Sequence, residues 1–191
     1  ILRRLVGSEM CIRDRARQRI GKKTIFNLLG PHTNPCNAKR QILGVYDKGL
    51  LKTFGNVSNL LKMHHVLVVH GNDGLDEISI TDKTFVTELK DGNLNQFEIQ
   101  PEDFGLSRAN ITALKAETPE ESLELINAAF EGKESPVQDM ISLNAGASLY
   151  LSSASNSIKD GVSLAKELLN NGKAKQTFSL SLIHISEPTR R

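Results

Sequence analysis

Two cysteines in 191 residues, Cys11 and Cys36, are too few for a disulfide framework and stand at no metal-site spacing. Their scarcity fits a reducing, cytoplasmic compartment. No apolar run approaches the length of a membrane span, so no membrane partner is expected. Internal repeats and low-complexity segments are absent too, which sets aside solenoids and disordered tracts. A charge excess of either sign is missing as well: the formal net charge is +2, and even that sits at the ends. Ile1–Arg15 holds four Arg against Glu9 and Asp14, and Leu180–Arg191 holds two Arg against Glu187. The two ends thus carry +2 and +1, and the middle is left at about −1. A nucleic-acid surface needs clustered Lys and Arg, so no nucleic-acid partner is expected. What is present is 39% hydrophobic residues, enough for one sizeable domain with a real core.

The ends have a common explanation. If Leu5–Asp14, "LVGSEMCIRD", is encoded as CTC GTG GGC TCG GAG ATG TGT ATA AGA GAC, the reverse complement read one base in encodes "SLIHISEPTR", which is Ser181–Arg190. One DNA segment in opposite orientations therefore accounts for both termini. It resembles a transposase-type sequencing-library adapter, so residues 1–15 and 180–191 are read as artificial tails. A signal peptide is a poor alternative, because "ILRRLVGSEMCIRDR" has no continuous apolar core. These tails are expected to lack a defined place in the fold, and residues 16–179 are expected to form the domain.

Within that piece the pattern alternates strand and helix. Thr24–Leu29 is an apolar helical turn stopped by Gly30-Pro31, followed by a polar loop with Pro35. Gln41–Tyr46 reads as a strand, and Leu50–Lys62 as a helix with apolar Leu50, Leu51, Phe54, Val57, Leu60 and Leu61. Val66–Val69 is the next strand, so a parallel β-α-β unit is predicted. Phe85–Leu89 and Leu94–Ile99 flank Asp91-Gly92 as a hairpin. "TPEESLELINAAFEG" carries Thr118 as N-cap, Pro119 at the first helical position, Glu121 as capping-box partner and Gly132 as stop. Val137–Leu151 and Ile158–Asn171 are two further helices, the last closed by Asn171-Gly172. The fold class is α/β, a mixed, largely parallel sheet flanked by helices.

The stretch "VLVVHGNDGLDEIS", Val66–Ser79, concentrates the candidate chemistry. A β-branched run buried on both faces breaks at Gly71 and Gly74, which allow a tight turn and close backbone approach. Ligands of open α/β sheets bind beyond the carboxyl ends of strands, where Asp76 and Glu77 fall. Adjacent carboxylates there suit Mg²⁺, a hard cation held by a few acids, waters and phosphate oxygens. A solvated turn with two surface acids fits the spacing equally well. His64, His65 and His70 have no acid or cysteine at ligand spacing and read as surface or strand-edge histidines.

Taken together, "GKKTIFNLLGPHTNP", "QILGVY", "VLVVHGNDGLDEIS", "PEDFGL" and "ISLNAGASLY" resemble the anthranilate phosphoribosyltransferase family in order and spacing, over nearly all of Ala16–Gln176. The resemblance implies the larger domain of the nucleoside phosphorylase and phosphoribosyltransferase fold, with the family's N-terminal helical domain missing. It implies transfer of phosphoribosyl from phosphoribosyl diphosphate to the amine of anthranilate, with Mg²⁺, in tryptophan biosynthesis. Asp76 and Glu77 match the acidic pair that holds the metal. Arg17 matches an arginine that pairs with the anthranilate carboxylate, for which a planar guanidinium offers two parallel hydrogen bonds. Gly30 and Pro31 match a turn lining the anthranilate channel. His32, Cys36 and Lys23 depart from the family's usual residues and are read as tolerated variation.

The family's glycine-rich diphosphate loop has no counterpart in Ile1–Arg15, and its helical domain supplies the homodimer contact of the complete enzyme. The chain is therefore expected to be a fragment without useful turnover. Two alternatives remain: a pyrimidine-nucleoside phosphorylase or transferase-like paralogue on the same fold, and a non-catalytic binding module.

Overall fold

The computed structural model describes residues 30–33 and 36–186. The expected helical turn at 24–29 and the tail at 1–15 lie outside the described residues. The chain divides into a unit of residues 1–37 and a larger unit of residues 38–191. In the first, Gly30–Thr33 form a single 3-10 turn, closed by the Thr33 hydroxyl donating to the Gly30 carbonyl at 3.2 Å.

The larger unit is built on a four-stranded sheet of order β1-β2-β3-β4, with β1 at Arg40–Gly44, β2 at His65–Gly71, β3 at Thr84–Lys90 and β4 at Asn93–Ile99. β1 and β2 run parallel, joined through helix α1 (Leu50–Leu60) as the β-α-β reading predicts. β2–β3 and β3–β4 are antiparallel, so one pairing in three is parallel among the described strands, a smaller share than expected. The hairpin turns at Asp91 and Gly92 with φ of 48° and 83°, the two positive values that a two-residue turn needs to follow strand twist.

Four helices follow: α2 (Pro119–Phe130), α3 (Pro136–Leu151), α4 (Ile158–Asn170) and α5 (Lys173–Ser186). Thr118 caps α2 by accepting from the Glu121 N–H at 3.1 Å, as expected. The Glu121 carboxylate, however, accepts from the Glu117 N–H rather than from the N-cap residue, so the capping box is displaced by one residue. Gly132 and Gly172 close α2 and α4 with φ of 77° and 76°. The last helix does not stop at Ser179: α5 runs on to Ser186. A nucleated helix gains one hydrogen bond for each further residue fixed, and no Pro or Gly interrupts the sequence before Pro188. Leu180 is nonetheless exposed, so this extension adds little to the core.

Alternation along β2 sends Leu67 and Val69 into a core with Ile78, Ile80, Val86, Ile99, Leu106, Leu143, Ala147, Leu151 and Val162. α3 and α4 approach closely there because a Cβ on Gly146 would lie 2.5 Å from the Val162 nitrogen. α1 buries Leu51 and Phe54, and its Gly55 lies against Thr87 and Leu94. Leu60 and Leu61, apolar residues of the same pattern, are exposed at the end of the helix.

His65 corrects the histidine reading. It is buried, and its Nε2 meets the Glu88 carboxylate at 2.8 Å, which also accepts from the Tyr150 hydroxyl at 2.9 Å. The acid is 23 positions away but sits across the β2–β3 ladder, opposite Leu67. Since His65 begins β2 and the glycine turn follows its end, about 20 Å of strand separates this pair from the acids. Its role is to tie α3 to the sheet. His70 packs its Nδ1 on the Val45 carbonyl at 2.8 Å, and His64 is exposed.

Candidate functional site

β2 ends at Gly71, and the loop from Asn72 to Lys83 carries the acidic pair. The Gly71 N–H donates to the Leu75 carbonyl at 2.8 Å, and the Gly74 N–H to the Gly71 carbonyl at 2.9 Å. A Cβ at Gly71 would crowd the Asp73 carboxylate and lie 3.2 Å from the Leu75 carbonyl, while Gly74 has φ of 92°. Both glycines are therefore demanded by the turn itself.

Asp73, which sequence reading passed over, is the lock of this loop. Its carboxylate accepts from the Leu75 N–H at 3.1 Å and from the hydroxyls of Ser79 and Thr81. Burial alone would raise its pKa, but these hydrogen bonds outweigh burial and hold the carboxyl below the ordinary range. Asp73 thus stabilises the loop fully above about 3.9, the ordinary aspartate value. That contribution fades as pH falls through the lower folded value. An NMR titration of the Asp73 side chain is expected to give a midpoint below about 3.9, and a midpoint above it would remove the lock. A second anchor closes the loop. Asp82 accepts from Asn72 at 2.6 Å, from the Lys83 N–H at 2.7 Å and from Arg108 at 3.1 Å. Hydrogen bonds from Asn72 and Lys83, with the Arg108 charge, lower its pKa.

Asp76 and Glu77 are exposed between these anchors. Neither carboxylate has a hydrogen-bond or ion-pair partner among the described residues. Their backbone is held from two sides. A Cβ on Gly44, the last residue of β1, would overlap the Asp76 carbonyl, whose carbon would be 2.7 Å away. The Asn144 side chain, on α3, accepts from the Ile78 N–H at 3.1 Å and donates to the Ile78 carbonyl at 2.9 Å. Three separated motifs therefore converge on one loop: "QILGVY" through Gly44, "ISLNAGASLY" through Asn144, and the segment after "PEDFGL" through Arg108 and through Ala109, whose N–H donates to the Ile80 carbonyl at 3.0 Å.

Two adjacent exposed carboxylates suit a hard cation that keeps several waters and takes further oxygens from a phosphate. No group of three or more His, Cys, Asp or Glu gathers among the described residues, so no all-protein cage is built. The donor set fits Mg²⁺ and not the nitrogen and sulfur sites of zinc.

Of the other predicted site residues, Arg17 lies outside the described residues. Gly30 and Pro31 start the 3-10 turn of the smaller unit. A Cβ at Gly30 would meet nothing within 4 Å, so packing does not require glycine there. No helix of the described residues is long and apolar enough to cross a membrane.

Comparison with known proteins agrees with this architecture. Among curated proteins, anthranilate phosphoribosyltransferase of Vesicomyosocius okutanii subsp. Calyptogena okutanii (strain HA) is 44% identical over 160 residues, covering 84% of this chain and 47% of that protein. The protein of the same name from Alkalilimnicola ehrlichii is 47% identical over 158 residues, covering 83% of this chain and 47% of its own length. The chain thus spans about half the length of the curated relatives it matches. Among solved structures, anthranilate phosphoribosyltransferase from Thermus thermophilus superposes with a TM-score of 0.76 at 37% identity, over 84% of this chain and 47% of that one. A Saccharomyces cerevisiae variant with Mg bound gives 0.77 at 29% identity, over 87% of this chain and 49% of its own. A family model described as the glycosyl transferase family, a/b domain, matches residues 5–175. On that match, and with its mixed sheet between helices, the chain belongs to the glycosyl transferase family as its a/b domain.

Proposed function

We propose that this chain is the α/β part of an anthranilate phosphoribosyltransferase, and that Asp76 and Glu77 hold Mg²⁺ on the diphosphate of the phosphoribosyl donor. The observation that carries this reading is the exposed acidic pair beyond β2, unpartnered among the described residues and braced by segments from β1, α3 and the 100–109 region. Solved structures of the Saccharomyces cerevisiae relative, with PRPP and Mg and with 4-fluoroanthranilate, support both substrate classes.

When bound, Mg²⁺ supplies positive charge to the diphosphate that departs from C1 of the ribose. Asp76 and Glu77 fix where that charge sits, and the loop anchors at Asp73 and Asp82 hold the acids in place before substrate arrives. Arg17 takes the carboxylate of anthranilate, and Gly30 and Pro31 leave room for its flat ring. The complete enzyme is a cytoplasmic homodimer. Residues 1–15 and 180–191 are artificial tails from library DNA, and residues 16–179 are the native piece.

Recovering the gene around this segment and assaying its full product tests the reading. Diphosphate release that requires anthranilate, phosphoribosyl diphosphate and Mg²⁺ is expected. Phosphorolysis of a pyrimidine nucleoside would replace it with the paralogue reading. The 191-residue chain by itself is expected to show no useful turnover. Holding two substrates and a metal in one geometry is worth about 7–11 kcal/mol when complete, and the chain spans only about half of its relatives. Turnover within tenfold of about 10 s⁻¹ would show that this half suffices.

A further inference from the structure

Among the described residues neither carboxylate of the acidic pair has a hydrogen bond of its own to orient it, so there its position comes from the backbone. On the C-terminal side that backbone is held by the Thr84 hydroxyl, which accepts from the Ser79 N–H at 2.9 Å, and, at Ile78 itself, by one side chain. Ile78, the next residue after Glu77, is buried and lies outside every strand, so no ladder satisfies its peptide groups. Asn144 does so from 66 positions away, accepting from the Ile78 N–H at 3.1 Å and donating to the Ile78 carbonyl at 2.9 Å. Its second amide hydrogen goes to the Met140 carbonyl one helical turn back, at 3.1 Å, which fixes the orientation of the amide on α3. A carboxamide is the one short side chain that presents a donor and an acceptor side by side, as a neighbouring strand would. It therefore takes the place of a missing strand at a single residue.

We infer that Asn144 is a positioning residue for the metal site: by pinning both peptide groups of Ile78 it sets the backbone that aims Glu77 and Asp76. This inference rests on the reading of the acidic pair as the Mg²⁺ site. Asn144 touches neither metal nor substrate in this role. Removing its side chain leaves a buried donor and a buried acceptor unsatisfied, and the local response is for the Ile78 peptides to turn toward water, carrying Glu77 with them. Partners that orient metal ligands change affinity by about 10–100-fold when lost.

The test uses the whole 191-residue chain and Mn²⁺ alone as probe, with free Mn²⁺ read by electron paramagnetic resonance and amide exchange read by NMR. The unaltered chain is expected to bind Mn²⁺, and Asp76→Asn with Glu77→Gln to abolish binding. Asn144→Ala is expected to weaken binding about 10–100-fold, with faster exchange at Ile78 and unchanged protection across Val66–Val69. Should Asn144→Ala unfold, Asn144→Asp carries the same expectation, since it keeps the size and the acceptor but loses the donor to the Ile78 carbonyl. Mn²⁺ affinity equal to the unaltered chain, alongside reduced thermal stability, would make Asn144 merely structural and overturn the inference. Absent binding in the unaltered chain, or binding that survives loss of both acids, would instead overturn the metal reading beneath it.

Discussion

Replacing Asp76 by Asn and Glu77 by Gln in a full-length protein that carries this segment is expected to cut Mg²⁺-dependent phosphoribosyl transfer by about a hundredfold or more. Both side chains are exposed and make no hydrogen bond within the described residues, so the fold has no use for their charge. A change at such a site is within about 0.5 kcal/mol of neutral for stability. The loss in rate follows because charge builds on the departing diphosphate in the transition state, where a preorganised partner is worth most. Steady-state rates against Mg²⁺ concentration, with thermal unfolding in parallel, read the two effects separately. Unchanged kinetics at limiting Mg²⁺ would remove the pair from the site.

The second large effect is expected from Gly44→Ala. A single methyl group there has no room, because it would overlap the Asp76 carbonyl, and the obstacle is backbone and not a flexible side-chain end. Either β1 or the Asp76 loop must move. Overpacking of this kind costs about 1–3 kcal/mol and at times more. β1 is hydrogen-bonded along β2, whereas the loop is held only by discrete anchors, so the loop is expected to yield. Gly44→Ala should therefore lower Mn²⁺ affinity as well as stability, although residue 44 carries no functional group. Loss of stability with Mn²⁺ affinity intact would show that the displacement is absorbed by β1. Gly146→Ala is expected to cost stability by a different route, because its Cβ would crowd Val162 on α4.

How much of this was legible in the sequence depended on how local each feature is. β2 and the acidic pair could be placed because a β-branched run ending in Gly-x-x-Gly dictates both the strand and the turn within one short stretch. The hairpin at Asp91-Gly92 and the Thr118 cap are equally local. Gly44 and Asn144 belong to motifs that were noticed, yet their roles could not be assigned, since each acts on a loop that only the tertiary fold brings to it. His65 was misread for the same reason: Glu88 becomes its partner through strand register, which periodicity alone does not fix. Leu60 and Leu61 continued the apolar helical pattern, yet the helix ends at Leu60 and both side chains are exposed. α5 passed Ser179 because helix propagation depends on the preceding turns and not on the origin of the residues that follow.

The central claim is that the loop after β2 carries the metal side of a phosphoribosyl-transfer site. Anomalous diffraction at the manganese edge, from crystals of the chain soaked with Mn²⁺ and phosphoribosyl diphosphate, addresses it most directly. The account predicts an anomalous peak within coordination distance of the Asp76 and Glu77 carboxylate oxygens, joined to diphosphate density and absent in the Asp76→Asn, Glu77→Gln variant. Manganese and diphosphate bound together elsewhere on the chain, with the acidic pair empty, would contradict it.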